Sequence, residues 1–244
     1  MLKMLTKKFI HHIGWDIHRL SPRTNPEFQL LKSLNRVNVN LIFDIGANTG
    51  QFSQKLRTVG YREKIVSFEP LSSAYHDLSA AARRDPKWHI HSRIAIGDYD
   101  GETEINIAGN SASSSVLPML DAHTAAAPGS AYVGKERVPI ARLDSIAPAY
   151  LTENTKYFLK IDTQGFEWNV LNGASETLRQ ARGVLCELSL VPLYQGQRLW
   201  RDIIDRLEAK CFTLWAIQGG FTDPCNGRSL QIDGIFLKDD AKRE

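Results

Sequence analysis

From residue 39 onwards, short apolar runs alternate with segments of helical period, and this rhythm restricts the chain more than any other feature. Strands are predicted over residues 39–43, 65–68, 89–96, 157–161 and 183–188. Helices are predicted between them, over residues 51–59, 72–84, 169–179 and 199–209. Strands that alternate with helices build a parallel sheet covered on both faces, so the fold class is α/β, doubly wound. The ending breaks the rhythm, because strands 212–217 and 230–237 are joined only by the turn-rich GGFTDPCNGR. Two strands joined without a crossover pair antiparallel, which predicts a mostly parallel sheet with a reversed last strand.

A length of 244 residues leaves one large domain and two small ones both open. No repeat or linker marks a second domain, so residues 37–244 read as one domain and residues 1–36 as an N-terminal helical extension. Between them, 30 Lys and Arg against 27 Asp and Glu give a net charge of +3, too small a surplus for a dedicated nucleic-acid binder. Cys186, Cys211 and Cys225 form no CxxC and no zinc-ligand spacing, so reduced thiols and a cytoplasmic location are expected. No run of apolar residues is long enough to span a bilayer. In residues 1–20, Lys3, Lys7 and Lys8 alternate with Leu2, Leu5, Phe9 and Ile10 without a continuous apolar stretch, which is no signal peptide. A basic amphipathic helix can lie on an anionic inner-membrane surface, although packing on the domain's own core is commoner.

The first predicted strand runs straight into Asp44-Ile45-Gly46-Ala47-Asn48-Thr49-Gly50. In a doubly wound sheet this turn is where a nucleotide-like ligand meets the chain. A Walker loop requires Gly-Lys-Ser/Thr, which is absent, and a dinucleotide loop requires glycine where Asn48 and Gln51 stand. What remains is Asp44 ending the first strand, a Gly-x-Asn-x-Gly turn, and Glu69 ending the second strand in VSFEP. A carboxylate at Glu69 can accept both ribose hydroxyls of a nucleoside. Asp44 is placed to pair with a cationic amine, which suits the methionine end of S-adenosylmethionine better than a pyrophosphate.

A second group interrupts two apolar strands: Lys160 and Asp162 in FLKID, and Glu187 in VLCEL. A parallel strand covered on both faces should be apolar throughout, and an unpaired buried ammonium costs several kcal/mol. Lys160 is therefore expected to pair with Glu187 or Asp162. Asp162 and Glu187 fall at carboxyl ends of strands, where ligands bind, and paired carboxylates there can act as general base, hold a divalent metal such as Mg²⁺, or form a purely structural network.

The strings DIGANTG, SFEP, AIGDYDGETEI, FLKIDTQGFEWNVLNGA, CELSLVPLYQGQ and QIDGIFL together resemble the FkbM-type family of class I S-adenosylmethionine-dependent methyltransferases. The resemblance covers residues 41–237 and implies a Rossmann-like, seven-stranded sheet with the last strand reversed. It implies O-methylation, commonly of sugar hydroxyls on bacterial glycolipids or glycosylated natural products, with S-adenosylmethionine as cofactor. By match to its motifs, Asp44 would face the methionine end, Gly46, Ala47, Asn48 and Gly50 would wrap the cofactor, Glu69 would hold the ribose, and Ala95 to Asp98 would approach the adenine. Relatives carry Val-Glu where this chain has Thr163-Gln164, so one carboxylate beside Asp162 is missing.

Residues 109–134, rich in Ser, Ala and Gly, read as a lid over the acceptor. Within it, Ser113, Ser114 and Ser115 are candidates to bind a sugar, and His123 is a competing base or a solvated surface residue. Tyr194, Trp200 and Trp215 offer flat faces for stacking on a pyranose ring, or are core. Asp162 and Glu187 are the expected catalytic pair. The rival readings are methyl transfer to RNA or another small molecule, and a non-catalytic cofactor-binding module.

Overall fold

The computed structural model describes residues 20–238 together with His12. The amphipathic stretch within residues 1–20, and with it the expected membrane contact, lies outside the described residues apart from His12 and Leu20.

Helix α1 (Pro26–Arg36) starts where Asn25 accepts a hydrogen bond from the Phe28 N–H at 2.6 Å, with Pro26 in the first turn, and it buries Leu30, Leu31 and Leu34. Then follow β1 (Leu41–Ile45), α2 (Gln51–Thr58), β2 (Lys64–Phe68), α3 (Ser72–Ala82) and β3 (Trp88–Ile90). After an excursion described below come β7 (Tyr157–Ile161), β8 (Gly183–Ser189), α8 (Trp200–Glu208), β9 (Phe212–Gly219) and β10 (Gln231–Lys238). The main sheet has seven strands in the order β3-β2-β1-β7-β8-β10-β9, parallel except for β10, which runs antiparallel to both β8 and β9. The α/β, doubly wound sheet with a reversed last strand is therefore as the sequence predicts. The order reverses between β1 and β7, and ligands in open α/β sheets bind at such a switch point.

Three segments differ from the prediction. The strand expected over 89–96 is two: β3 stays beside β2, while β4 (Ala95–Gly97) leaves the sheet and pairs parallel with β6 (Tyr132–Arg142). Beyond Ser67 and Ile90, β2 is near its end and Pro70 turns the chain away, so residues 91–94 have no strand to follow. β6 also pairs antiparallel with β5 (Gly101–Ala108), making a separate three-stranded sheet in the order β4-β6-β5. The expected lid is only partly loop, since residues 121–126 form α4 (Asp121–Ala126) and β6 begins at Tyr132. Downstream of α5 (Leu143–Ile146), the single helix expected over 169–179 is split into α6 (Glu167–Asn172) and α7 (Ser175–Gln180). The Asp144 carboxylate caps the start of α7, accepting from the N–H groups of Glu176 and Thr177 at 3.1 and 2.8 Å.

Alternation along the strands divides the core in two. Leu41, Phe43 and Ile45 of β1 face one cluster with Val170 and Leu171 of α6, Leu178 of α7 and Ile203 of α8. Ile42 faces the other, with Leu30 and Leu34 of α1, Leu56 of α2 and Leu78 of α3.

Candidate active site

A cavity of about 440 Å³ opens along the carboxyl ends of the main strands. At one end it is lined by Gly46, Ala47, Asn48, Glu69 and Ala95, and at the other by Pro26, Glu27, Lys55, Gln218 and Asp233. Lys160, Asp162 and Gln164, at the end of β7, line the stretch between.

The glycine turn is folded against β2. The N–H groups of Gly46 and Ala47 both donate to the Phe68 carbonyl, at 3.1 and 3.0 Å, and the Asn48 N–H donates to Glu69 Oε2 at 2.7 Å. A phosphate-binding loop leaves such N–H groups free for the ligand; here these three are committed, as the absent dinucleotide fingerprint predicts. Gly46 has φ +75, and a Cβ there would collide with the Asp162 carbonyl, so only glycine lets the turn pass under β7. Gly50, at φ +88, does not line the cavity; a Cβ would meet the Trp88 ring at 2.6 Å. Its role is packing of the loop on β3 rather than contact with a ligand.

Glu69 is buried yet faces the cavity. Its Oε2 accepts from Asn48 and its Oε1 from the Leu71 N–H at 2.9 Å, so each oxygen keeps lone-pair capacity for an incoming hydroxyl. Burial, only partly opposed by those two N–H donors, pushes its pKa up to about 7. Hydrogen bonds from a vicinal diol would stabilise the charged form. The committed turn, the held but unsaturated Glu69 and the apolar neighbours Ala95, Ile96 and Phe166 together fit an adenosyl group without a pyrophosphate.

Two expected cofactor contacts sit elsewhere. Asp44 is fully buried and does not line the cavity. Strand alternation sends its side chain under α2, where Oδ2 accepts from Ser53 and Ser67 Oγ at 3.0 and 3.1 Å and Oδ1 pairs with Lys160 at 3.2 Å. Asp44 is thus spent inside the fold rather than held open to a ligand's amine. Asp98 is likewise outside the cavity, accepting from Asn169 Nδ2 at 2.9 Å, whereas Ala95 lines it.

Lys160 pairs with Asp44 and, at 3.6 Å, with Asp162, and donates to the Gly46 carbonyl at 2.7 Å. The expected partner Asp162 is thus found and Glu187 is not. Register explains the difference, because Asp44 lies directly opposite Lys160 on β1. Burial opposes the lysine's charge, but Asp44 and Asp162 outweigh it and hold the ammonium protonated.

Glu187 does not line the cavity. Gln231 Nε2 donates to its Oε2 at 2.7 Å, and Gln164 Nε2 donates to both its oxygens at 3.1 and 3.2 Å and to Asp162 Oδ1 at 2.8 Å. Burial first, and then the charges of Asp162, Glu167 and Asp233, push the Glu187 pKa up from the ordinary carboxylate range. Its place outside the cavity, with both oxygens accepting from amide groups, separates it from an entering acceptor. The metal expectation for Asp162 and Glu187 is also corrected: the Gln164 amide fills the position between the carboxylates that a cation would take. Among the described residues no group of three His, Cys, Asp or Glu is placed to hold a metal, so Mg²⁺ does not fit. The turn carrying Gln164, at φ 55, is fixed by the buried Glu167, which accepts from the N–H groups of Thr163 and Gly165 at 2.9 and 3.1 Å.

Of residues 109–134, those lining the cavity are Ser111, Ala112, Ser114, Ser115 and Val116. Ser115 Oγ donates to the Gln164 carbonyl at 2.7 Å, and Ser114 Oγ accepts from the Ala108 N–H. Ser113 is buried beside Tyr194, whose hydroxyl donates to the Ser113 carbonyl and to Gln164 Oε1. His123 is neither a surface residue nor at the cavity: it is buried, bonded through Nδ1 to Ser130 Oγ at 2.9 Å and packed edge-on to Tyr194. Tyr194, Trp200 and Trp215 do not line the cavity either. Sequence reading passed over Asp233, Gln218 and Lys55. Asp233 carried the signal that exposed Lys160, a charge inside an apolar strand, in QIDGIFL.

The profile of the methyltransferase FkbM domain matches residues 44–214, well over half of the chain. No curated protein matches it. Solved structures similar to it include an rRNA methylase from Streptococcus thermophilus, 10% identical, with 91% of this chain and 99% of that one covered and a TM-score of 0.47. Another is precorrin-6y C5,15-methyltransferase from Geobacter metallireducens, also 10% identical, covering 91% of this chain and 94% of that one at a TM-score of 0.45. With the domain profile running from the acid that ends β1 into β9, this chain belongs to the FkbM methyltransferase family.

Proposed function

We propose that the protein is an S-adenosylmethionine-dependent O-methyltransferase whose acceptor is a sugar hydroxyl, on a glycolipid or a glycosylated natural product. The observation that carries this reading is the make-up of one continuous cavity, which has the carboxylate of Glu69 at one end, that of Asp233 at the other and that of Asp162 between them. Between β2, which Glu69 follows, and β10, which carries Asp233, lie four strand-to-strand steps, roughly 19 Å. That span leaves room for a second molecule beyond a nucleoside. Carboxylates at that end suit a neutral, hydroxyl-rich acceptor and oppose a phosphate backbone.

When bound, the cofactor supplies a methyl group made electrophilic by its sulfonium. The chain's task is alignment, and well-oriented groups can lower a barrier by about 7–11 kcal/mol. Glu69 anchors the ribose, the turn at Gly46 fixes the approach, and Lys160 locks that turn to β7 through the Gly46 carbonyl. Ser111 to Val116 cover the cavity and are tied to Gln164, which shields the reacting end from water.

Calorimetric titration of S-adenosylmethionine and NAD⁺ into the protein tests the reading. Saturable binding of the first alone, weakened in E69A, is expected; no binding of S-adenosylmethionine would overturn it. Because Pro26 and Glu27 line the acceptor end, the segment preceding them joins the domain there, which suits an acceptor presented at an anionic bilayer. Co-sedimentation with anionic liposomes that survives removal of residues 1–19 would refute that part.

A further inference from the structure

Of the charges on the α1 and α2 face of the sheet, all but one have been given partners by the fold. Asp44 has Ser53, Ser67 and Lys160; Asp162 has Lys160 and Gln164; Glu187 has Gln164 and Gln231. The carboxylate of Asp233 lines the cavity and has no hydrogen-bond or ion-pair partner among the described residues. A half-buried carboxylate left this way costs stability.

Its isolation is built in rather than incidental. Asp233 lies opposite Glu187 of β8 and Gln218 of β9 in the strand register, and both are otherwise engaged. Gln218 Nε2 donates to the Pro26 carbonyl at 2.8 Å and to Gln29 Oε1 at 3.0 Å, both on α1. Gln164 and Gln231 give their Nε2 groups to Asp162, Glu187 and Ser189. Of the cations sharing the cavity, Lys160 is spent on Asp44, Asp162 and Gly46, and Lys55 of α2 pairs with Glu27 of α1 at 3.9 Å. These donors are engaged elsewhere, which leaves the Asp233 carboxylate for whatever enters the cavity.

We propose that Asp233 binds the acceptor hydroxyl and takes its proton during methyl transfer, and that the end of the cavity it shares with Glu27, Lys55 and Gln218 holds a polyhydroxylated acceptor. This rests on the O-methyltransferase reading above. As the acceptor O–H gives its proton to a carboxylate oxygen of Asp233, the acceptor oxygen forms the new bond to the methyl carbon; the carbon–sulfur bond breaks with its electron pair on sulfur, leaving a neutral thioether. The proton then passes to water. Burial, with Asp162 adding to it and Lys160 and Lys55 opposing, brings the Asp233 pKa up to about 7, where a base is half available at neutral pH. Glu187 lies opposite, its own pKa pushed up by burial, and no other titratable group lies opposite Asp233 on the neighbouring strands.

The test uses the full chain and D233N, with S-adenosylmethionine binding followed by calorimetry and methyl transfer to methyl glycosides followed from acid to alkaline pH. D233N should bind S-adenosylmethionine as the wild type does and lose about 100-fold or more in turnover. The acid limb of the wild-type rate profile, centred near neutrality, should be missing from what remains, and D233E should recover part of the rate. A smaller loss in D233N, or a wild type that binds the cofactor yet shows no glycoside-dependent turnover, overturns the inference. A wild type that does not bind the cofactor overturns the methyltransferase reading instead. Carbon-13 titration of the aspartate carboxyls adds a readout independent of turnover: one resonance should titrate near neutral pH and vanish in D233N. If none does in the wild type, the inference fails whether or not the variant folds.

Discussion

The two faces of the main sheet carry the same strands and different chemistry. Toward α6, α7 and α8, β1, β7 and β8 present Phe43, Ile45, Leu159, Ile161, Val184 and Cys186, all buried. Toward α1 and α2 the same strands begin apolar, with Ile42, Phe158 and Leu185, and then turn polar at their carboxyl ends with Asp44, Lys160 and Glu187, continued by Asp233 on β10. A sheet covered on both faces has no packing reason for such a row, and burying it costs stability unless every charge is partnered. Lys160 and Asp233 of this row line the cavity, and Asp44 and Glu187 stand behind it, so the face that is worse for stability carries the charged groups of the site. The other face supplies apolar lining and most of the core.

If that division holds, the two faces should fail in different ways. The largest effect is expected for K160M, which strands Asp44 without its counter-charge in a fully buried position; breaking a buried pair from one side costs about 3–5 kcal/mol. Urea unfolding should show this loss. D44N/K160M should recover much of the stability while turnover stays low, because Lys160 also holds the Gly46 carbonyl. A fully active double variant would mean that the row is structural. On the other face, L171A removes a side chain with no exposed surface and should cost about 2–5 kcal/mol, with cofactor affinity unchanged under conditions where the protein stays folded. A matching loss of affinity would show that the faces are not separable.

Much of this division was legible in the sequence, and what was not depends on register. The glycine turn, Glu69 and the reversed last strand follow from residues close together in the chain; the last strand is reversed as read, and Gly46 and Glu69 line the cavity while Gly50 does not. A charge inside an apolar strand announced Lys160, but choosing Asp44 over Glu187 as its partner requires knowing that β1, not β8, presents an acid directly opposite it. Asp233 was missed although it gave the same local signal. The residues around His123 looked like open loop because their burial comes from Leu193, Tyr194 and Leu230, distant in sequence.

A smaller effect should come from the hinge between the covering segment and the site. Y194F removes the hydroxyl that donates to Gln164 Oε1 and to the Ser113 carbonyl, both in buried surroundings. Losing such a bond costs about 1–2 kcal/mol. Because Gln164 Nε2 bridges Asp162 and Glu187, the variant should also lower turnover more than it lowers cofactor affinity, which calorimetry beside initial rates would separate.

The smallest expected effect has the opposite sign to the rest. Burial pushes the Asp233 pKa up to about 7 in the folded chain, against an ordinary value of 3.8. A carboxyl whose pKa is raised by folding favours the folded state while protonated; that contribution is complete below the unfolded value and is lost as pH rises through the folded one. Wild-type stability should therefore decline between about pH 4 and pH 7 partly on account of Asp233, whereas D233N keeps a neutral side chain throughout. At slightly alkaline pH, D233N should be more stable than the wild type, the gap closing as pH falls toward 4. Thermal unfolding at both ends of that range measures it. A variant that gains stability as it loses turnover would show that the polar face is held against the preference of the fold. If D233N is instead destabilised at alkaline pH, Asp233 is a structural member of the row, and the contrast between the faces narrows to Asp44, Lys160 and Glu187.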